Sequence, residues 1–146
     1  MNKNEFEEFL HKKIPITKAM GFSVVEFTPE RIRISAKLEP NINHKGTAFG
    51  GSIDCLMVVC GWAMVFINIK EIDPHAHIVI QKSNINYLLP IKEDFIAECN
   101  LSDEESKRKF FEMYTKHKKG RLNLKVSCYN KETLLAEFKG QYVAFK

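Results

Sequence analysis

Residues 43–66 read NHKGTAFGGSIDCLMVVCGWAMVF, a glycine-rich turn that leads into an apolar stretch of helix length. The segment from Ile53 to Ile69 carries one charged residue, Asp54. A helix that is apolar on all sides is either enclosed by its own protein or spans a membrane. Asp54, Gly61 and Asn68 disfavour a span, so we expect no membrane insertion and predict a central core helix.

The sequence around this helix alternates between apolar and polar residues, as half-buried strands do. The predicted elements run helix, two strands, apolar helix, two strands, helix, two strands. Strands adjacent in sequence favour antiparallel pairing, and a helix this apolar must be wrapped by their sheet. We therefore predict an α+β hotdog fold as one domain over residues 1–146, with an extra N-terminal helix and a helix before the last two strands. The predicted strands are GFSVVEF, RIRISAKL, HIVIQKSNINYLL, DFIAECNLS, RLNLKVSCYN and TLLAEFKGQYVAF.

Local signals suggest where the two flanking helices begin and end. Asn4 followed by Glu7 is typical of a helix N-cap with its partner three residues on. Ser102 and Glu105 form the same kind of pair before the helix KRKFFEMYTKHKK, and Gly120 is expected to end that helix.

Composition excludes several classes of protein. The chain has 146 residues, 45% hydrophobic and 27% charged, which is typical of a globular domain. A net charge of +4 is weaker than the basic stripe of a nucleic-acid binder, so no nucleic-acid partner is expected. The four cysteines form no CxxC pair, which predicts structural thiols in a reducing cytoplasm. The polar start MNKNEFEEFL predicts no signal peptide.

Three segments resemble a known family: NHKGTAFGGS, then SNINYLLP after the helix, then the closing FKGQYVAF. They are similar to the thioesterase domain of the hotdog superfamily that some bacteria fuse behind an acetyltransferase. More distantly, the chain resembles acyl-CoA thioesterases with the motif N-x-x-G-x-x-H-G-G. On that motif Asn43 takes the Asn position, Gly46 the first glycine, Phe49 the His, and Gly50 with Gly51 the glycine pair.

The resemblance implies a mechanism. A backbone N–H at the start of the central helix holds the thioester oxygen, the Asn positions the carbonyl or the water, and a carboxylate two turns into the helix acts as base or nucleophile. The matching position for that carboxylate is Val58, so the familiar acid is missing. The motif also differs from a phosphate-binding P-loop, because Ser52 and Ile53 follow Gly51 where Lys and Ser or Thr are needed.

Several candidate residues have an ordinary structural role beside the functional one. Gly50 and Gly51 either present bare N–H groups to a carbonyl or form a tight turn. Asn43 either makes an Asx turn or positions a carbonyl or a water. Asp54 is expected in the first helical turn, where the helix dipole favours an acid, although a role as base is possible.

Other polar residues are weaker candidates. In hotdog dimers the strand after the helix often lines the partner's acyl pocket, so Ser83 is a candidate to hold a water. Phe49, Ser52 and Asn84 are candidate substrate-binding residues. His44 is expected to be a solvated loop residue, and His75 with His77 lacks a third ligand, so no metal is expected. The basic run KHKKGR at 116–121 either complements a helix C-terminus or attracts coenzyme A phosphates, and we favour the helix.

These observations predict a thioester hydrolase acting on an acyl-CoA or related acyl thioester without a cofactor, as a homodimer or dimer of dimers. Two alternatives stay open. A non-catalytic acyl-CoA binder is favoured by Val58 in place of the acid. A hotdog dehydratase, which generally needs a His near the helix start, is disfavoured by Phe49.

Overall fold

The computed structural model describes residues 1–146, and its main helices and six strands follow the predicted order, with one short extra helix after the first. The helices are α1 (Lys3–Lys13), α2 (Ile16–Ala19), α3 (Gly50–Ile69) and α4 (Glu104–His117). The strands are β1 (Phe22–Phe27), β2 (Arg31–Ala36), β3 (His77–Tyr87), β4 (Phe95–Asn100), β5 (Lys119–Asn130) and β6 (Thr133–Phe145).

All six strands form one antiparallel sheet in the order β1-β2-β4-β5-β6-β3. The inner face of this sheet packs on α3, which touches β2 to β6. Although α3 is long and apolar enough to cross a membrane, 72% of its apolar window is buried inside the protein. The predicted arrangement of a sheet wrapped around a core helix is confirmed.

Tyr142 on β6 fixes the central helix against the sheet. Its buried phenol donates a hydrogen bond of 2.7 Å to the carbonyl of Val58. Gly61, one turn further along α3, leaves the space for the ring, since a Cβ at that position would overlap the phenol. The close approach explains a glycine in the middle of a helix, where it normally costs about 1 kcal/mol.

The two outer strands of the sheet differ in how their free edges are covered. Along β1, the N–H of Val24 donates to the Glu7 carboxylate of α1 at 2.7 Å, and the carbonyl of Phe22 lies 2.8 Å from His11 Nε2. Along β3 no side chain or strand bonds to the free edge. An open edge strand is a template for pairing with another chain.

The predicted ends of α1 and α4 are wrong by one to two residues. The N-cap of α1 is Asn2, which forms a capping box with Glu5, while Glu7 bonds to β1 instead. The N-cap of α4 is Asp103, whose carboxylate accepts from two backbone N–H groups of the first turn. The helix ends at Lys118 in a left-handed conformation, with φ of 56°.

Gly120 does not end α4; it lies in β5. The main-chain carbonyl of Phe110 would be only 2.8 Å from a Cβ at that position, so a close helix–strand contact requires this glycine. The basic run 116–121 spans the last turn of α4, its cap and the start of β5.

All four cysteines are free thiols. Cys60, Cys99 and Cys128 are buried, and burial raises the pKa of Cys99 and of Cys128 to about 12. Since the thiolate is the reactive form, these cysteines pack as small apolar side chains, as predicted.

Candidate active site

The start of α3 leaves two backbone donors without acceptors. Phe49 is the N-cap, extended at φ −66° and ψ 133°, and its own N–H donates to Asn41 at 2.7 Å. Its carbonyl accepts from both Ser52 and Ile53, at 3.0 and 3.1 Å. The N–H groups of Gly50 and Gly51 donate to nothing in the chain. Helix N-termini carry roughly half a positive charge on such unpaired groups.

Both glycines lie within the first turn of α3, because the helix begins at Gly50, three residues before the apolar segment Ile53–Ile69. Tyr87, at the end of β3, donates its phenol hydrogen to the carbonyl of Gly50 at 3.0 Å, and its ring lies against that residue. The ring of Phe49 covers Gly51 so closely that a Cβ there would lie 2.5 Å from the ring. Gly51 is nevertheless solvent-exposed and Gly50 half-buried, so a substrate can reach this end of the helix.

Asn43 holds the loop before the helix rather than facing the glycines. Its Oδ1 accepts from the N–H groups of Lys45 and Thr47, at 2.9 and 3.2 Å. Its Nδ2 donates to Thr47 Oγ1 at 2.9 Å. These bonds form an Asx turn, the structural alternative for this residue. Asn43 acts on the helix start through the loop that it shapes.

Asp54 is not in the first helical turn, contrary to the prediction, because the earlier helix start puts it in the second turn. Four residues after Gly50, it lies on the same side of α3, and helical side chains point back toward the N-terminus. One of its oxygens, Oδ1, is buried with no hydrogen-bond donor in the chain.

Burial raises the pKa of the Asp54 carboxyl above its ordinary value. Burial, and then the nearby Asp54 carboxylate, raise the pKa of Tyr87. Asp54 is thus an unsatisfied carboxylate within electrostatic range of the tyrosine that touches Gly50. The dipole role was favoured for Asp54 because the sequence placed this residue in the first turn, whereas the structure places it in the second.

Val58 occupies the position where the resembled thioesterases carry their acid. It is a half-buried apolar side chain, and its carbonyl accepts the Tyr142 hydrogen bond. The nearest carboxylate on α3 is Asp54, one turn closer to the glycines.

The remaining predicted site residues separate into two groups. Ser83 pairs with Gly140 and so shares the inner face of the sheet with Tyr87. Asn84 pairs with Lys139 on the outer face, away from the helix start. Ser52 is buried in the first turn of α3 at 5% exposure, so its hydroxyl has little access to a substrate.

Apolar side chains surround the helix start on the surface of the single chain. About half of each is exposed: Ile42 52%, Phe49 57%, Tyr87 52%, Leu88 45% and Leu89 50%. A hollow of about 600 Å³ lies at the other end of α3, beside Phe9, Phe27 and Phe66. The helix start is therefore an open apolar surface rather than an enclosed pocket.

Residues 3–146 match the family described as "Putative thioesterase (yiiD_Cterm)". The chain belongs to this family. Its class of reaction is thioester hydrolysis, and the match covers the whole of the site described above.

Solved structures of similar proteins carry the same fold as this thioesterase-family chain. A protein of unknown function from Chlorobaculum tepidum is 29% identical with a TM-score of 0.91, and the alignment covers 99% of this chain and 94% of that one. A Shewanella oneidensis protein named as a putative thioesterase is 28% identical with a TM-score of 0.87, covering 99% and 97%. A Pseudomonas aeruginosa protein named as a probable thioesterase is 19% identical, covers 97% and 95%, and with a TM-score of 0.83 supports the fold alone.

Proposed function

We propose that the protein hydrolyses acyl-CoA or related acyl thioesters, with the thioester oxygen bound by the N–H groups of Gly50 and Gly51. Hydrolysis puts negative charge on that oxygen in the tetrahedral intermediate. Two unpaired N–H groups at the exposed end of a 20-residue helix are the observation that carries this proposal. One such donor is worth about 3–4 kcal/mol of transition-state stabilisation in other hydrolases.

Asp54 is the general base of this proposal. Its carboxylate takes a proton from water while the water oxygen bonds to the thioester carbon, and the carbonyl electrons move to the oxygen held by the glycines. Collapse of the intermediate breaks the carbon–sulfur bond, and the protonated Asp54 returns its proton to the leaving thiolate. Burial raises the Asp54 pKa, and a base works best when its pKa approaches the working pH.

Neighbouring residues would orient the substrate. Asn43 is a positioning residue, because the turn it makes sets the loop that precedes the helix. Phe49 and Tyr87 offer exposed apolar surface to the acyl chain beside the glycines. Ser83, on the inner face of β3, is a candidate to hold the water. Ser52 and Asn84 have no role at the thioester itself.

We further propose a homodimer, or a dimer of dimers, formed through β3. The free edge of β3 is uncovered while that of β1 is bonded by α1, and the exposed apolar side chains lie at the end of β3. Pairing two β3 edges would bury this surface and enclose the acyl chain beside each helix start. We expect the reaction in the cytoplasm, where four free thiols stay reduced.

A non-catalytic acyl-CoA binder is the second candidate, favoured by Val58 where the resembled enzymes have an acid. Incubating the protein with acyl-CoA thioesters of graded chain length and a thiol-reactive dye separates the two. If the protein is a hydrolase, thiol release should be saturable for acyl-CoA of at least one chain length. In the Asp54→Asn variant this release should fall to the background rate. Saturable binding with no release at any chain length would favour the binder, and neither binding nor release would refute both.

A further inference from the structure

One side chain of the sheet bonds to the peptide group that joins Gly50 to Gly51. The phenol of Tyr87, at the end of β3, donates to the Gly50 carbonyl at 3.0 Å. Three atoms of this side chain, the phenol oxygen among them, would lie 3.5 Å from a Cβ at Gly50. By the helical pattern, the same carbonyl accepts the N–H of Asp54. The carbonyl end of this peptide group is therefore fixed both by the helix and by the sheet.

The other end of the same peptide group is the N–H of Gly51. A peptide group is planar and trans, so its C=O and N–H point in opposite directions. A bond that fixes the Gly50 carbonyl therefore also fixes the direction of the Gly51 N–H, which has no acceptor in the chain. A hydrogen bond accepted by the carbonyl also polarises the peptide group and strengthens its N–H as a donor.

This peptide group needs an outside restraint more than most, because it joins two glycines at a helix end. Glycine has no Cβ and adopts a wide range of φ and ψ values, and the ends of helices fray. The N-cap, Phe49, makes no side-chain hydrogen bond to the first turn. The Tyr87 bond supplies the order that a capping side chain gives to other helices.

The choice of acceptor also leaves the Asp54 carboxylate free. Burial, and then the charge of Asp54, raise the pKa of Tyr87, so the phenol keeps its hydrogen at neutral pH. The phenol donates to the neutral carbonyl of Gly50, although a carboxylate is the stronger acceptor. Position on β3 therefore decides this bond, and Asp54 Oδ1 has no donor in the chain that would compete with water.

We propose that Tyr87 is a positioning residue for thioester hydrolysis, which holds the Gly50–Gly51 peptide group so that the Gly51 N–H faces the thioester oxygen. This role rests on the proposed function. It concerns one of the two donors, because the N–H of Gly50 belongs to the preceding peptide group. Tyr87 acts through the backbone and transfers no proton to the substrate.

Tyr87→Phe tests this role, because it removes the hydroxyl and keeps the ring. We expect kcat for acyl-CoA to fall about five- to tenfold, the worth of one neutral hydrogen bond. Deleting a donor outright costs about 10²–10³-fold. KM should stay within about twofold, and the acid limb of the pH–rate profile should not move. Tyr129→Phe on β5, which removes the phenol of another half-buried tyrosine, is the matched control and should change neither kcat nor KM.

An infrared measurement reads the same donor without hydrolysis. The probe is a dethia-CoA ketone, in which a methylene replaces the thioester sulfur and the carbonyl carbon is isotope-labelled. Hydrogen bonds to the carbonyl lower its stretching frequency, so binding to the unsubstituted protein should lower it. Tyr87→Phe should reverse part of that shift while the ketone still binds, and Tyr129→Phe should reverse none. A side chain that only stabilises the fold would not change this frequency.

The two measurements separate failure of this role from failure of the proposed function. If Tyr87→Phe reverses part of the frequency shift but the unsubstituted protein hydrolyses no thioester, the role of Tyr87 stands and the proposed function fails. If the unsubstituted protein is active and the variant keeps both kcat and the frequency shift, the role is overturned. A fall in kcat of more than about 100-fold with loss of the basic limb of the pH–rate profile would also overturn it, because Tyr87 would then be a proton donor.

Discussion

Asp54 differs from Asp73 and Asp103 in the hydrogen bonds that its carboxylate accepts. Asp73 accepts the Tyr114 phenol at 2.6 Å and Asp103 accepts the Ser106 hydroxyl at 2.8 Å, and these bonds lower the pKa of each acid. Asp54 has a buried oxygen with no donor, and burial raises its pKa. Unsatisfied, perturbed carboxylates of this kind cluster at functional sites.

Asp54→Asn should therefore lower turnover without lowering stability. The general base contributes about 10²–10⁴-fold to rate, so we expect kcat to fall by at least about 100-fold. Because the folded-state pKa is raised, Asp54 favours folding below its ordinary pKa of 3.8 and loses that contribution as pH rises through the raised value. At pH 7 the variant should unfold at the same denaturant concentration as the unsubstituted protein, or at a higher one. If the variant keeps both its turnover rate and the acid limb of its pH–rate profile, Asp54 is not part of the mechanism.

The place of Asp54 within α3 could not be predicted from the sequence alone. The motif predicted Gly50 and Gly51 as candidate N–H donors. For Asn43 it left two alternatives, and one of them was the Asx turn that the structure shows. It did not fix the first residue of α3, because that start depends on the Phe49 N–H, which donates to the Asn41 carbonyl across the loop. The sequence placed Asp54 in the first turn, where the helix dipole favours an acid, but the structure places it in the second turn, which makes it a candidate base.

Among the secondary-structure elements, strands were predicted better than helix ends. One face of each strand is buried and the other solvated, so β2 and β5 show the alternation directly in their sequences. Helix ends depend on which of several neighbouring polar side chains reaches the free N–H groups. At α4 the competing residues are Ser102 and Asp103, and the structure selects Asp103.

Two alanine variants test this assignment of the α4 cap. Asp103→Ala removes the acceptor for the N–H groups of Glu105 and Ser106, which should lower Tm by about 3 °C. Ser102→Ala, one residue earlier, should change Tm by less than about 1 °C. Calorimetry of both proteins measures the difference, and the reverse order would restore the cap predicted from the sequence.

At the scale of the whole molecule, the sheet wrapped around α3 followed from an apolar helix between pairs of alternating strands. The order of strands across the sheet was not predictable from pattern alone, because β3 pairs with β6, far along the chain.

The open edge of β3 predicts a dimer in solution. Sedimentation analysis at micromolar concentration should give twice the chain mass of 16.9 kDa, or four times if dimers pair. The exposed apolar surface at the end of β3 is the physical reason, since dimerisation would remove it from water. A single species of 16.9 kDa throughout that range would contradict the dimer.

The helix start is tested most directly by comparing Gly50→Pro with Gly50→Ala. Proline deletes the N–H at the first helical position, where it is tolerated, and Phe49 already has the extended backbone that must precede proline. Alanine keeps the N–H, and its Cβ would meet Tyr87 at an ordinary 3.5 Å. For acyl-CoA turnover we predict kcat about 10²–10³-fold lower for the proline variant than for the alanine variant, at equal Tm. Equal kcat in the two folded variants would contradict the claim that the Gly50 backbone holds the thioester oxygen.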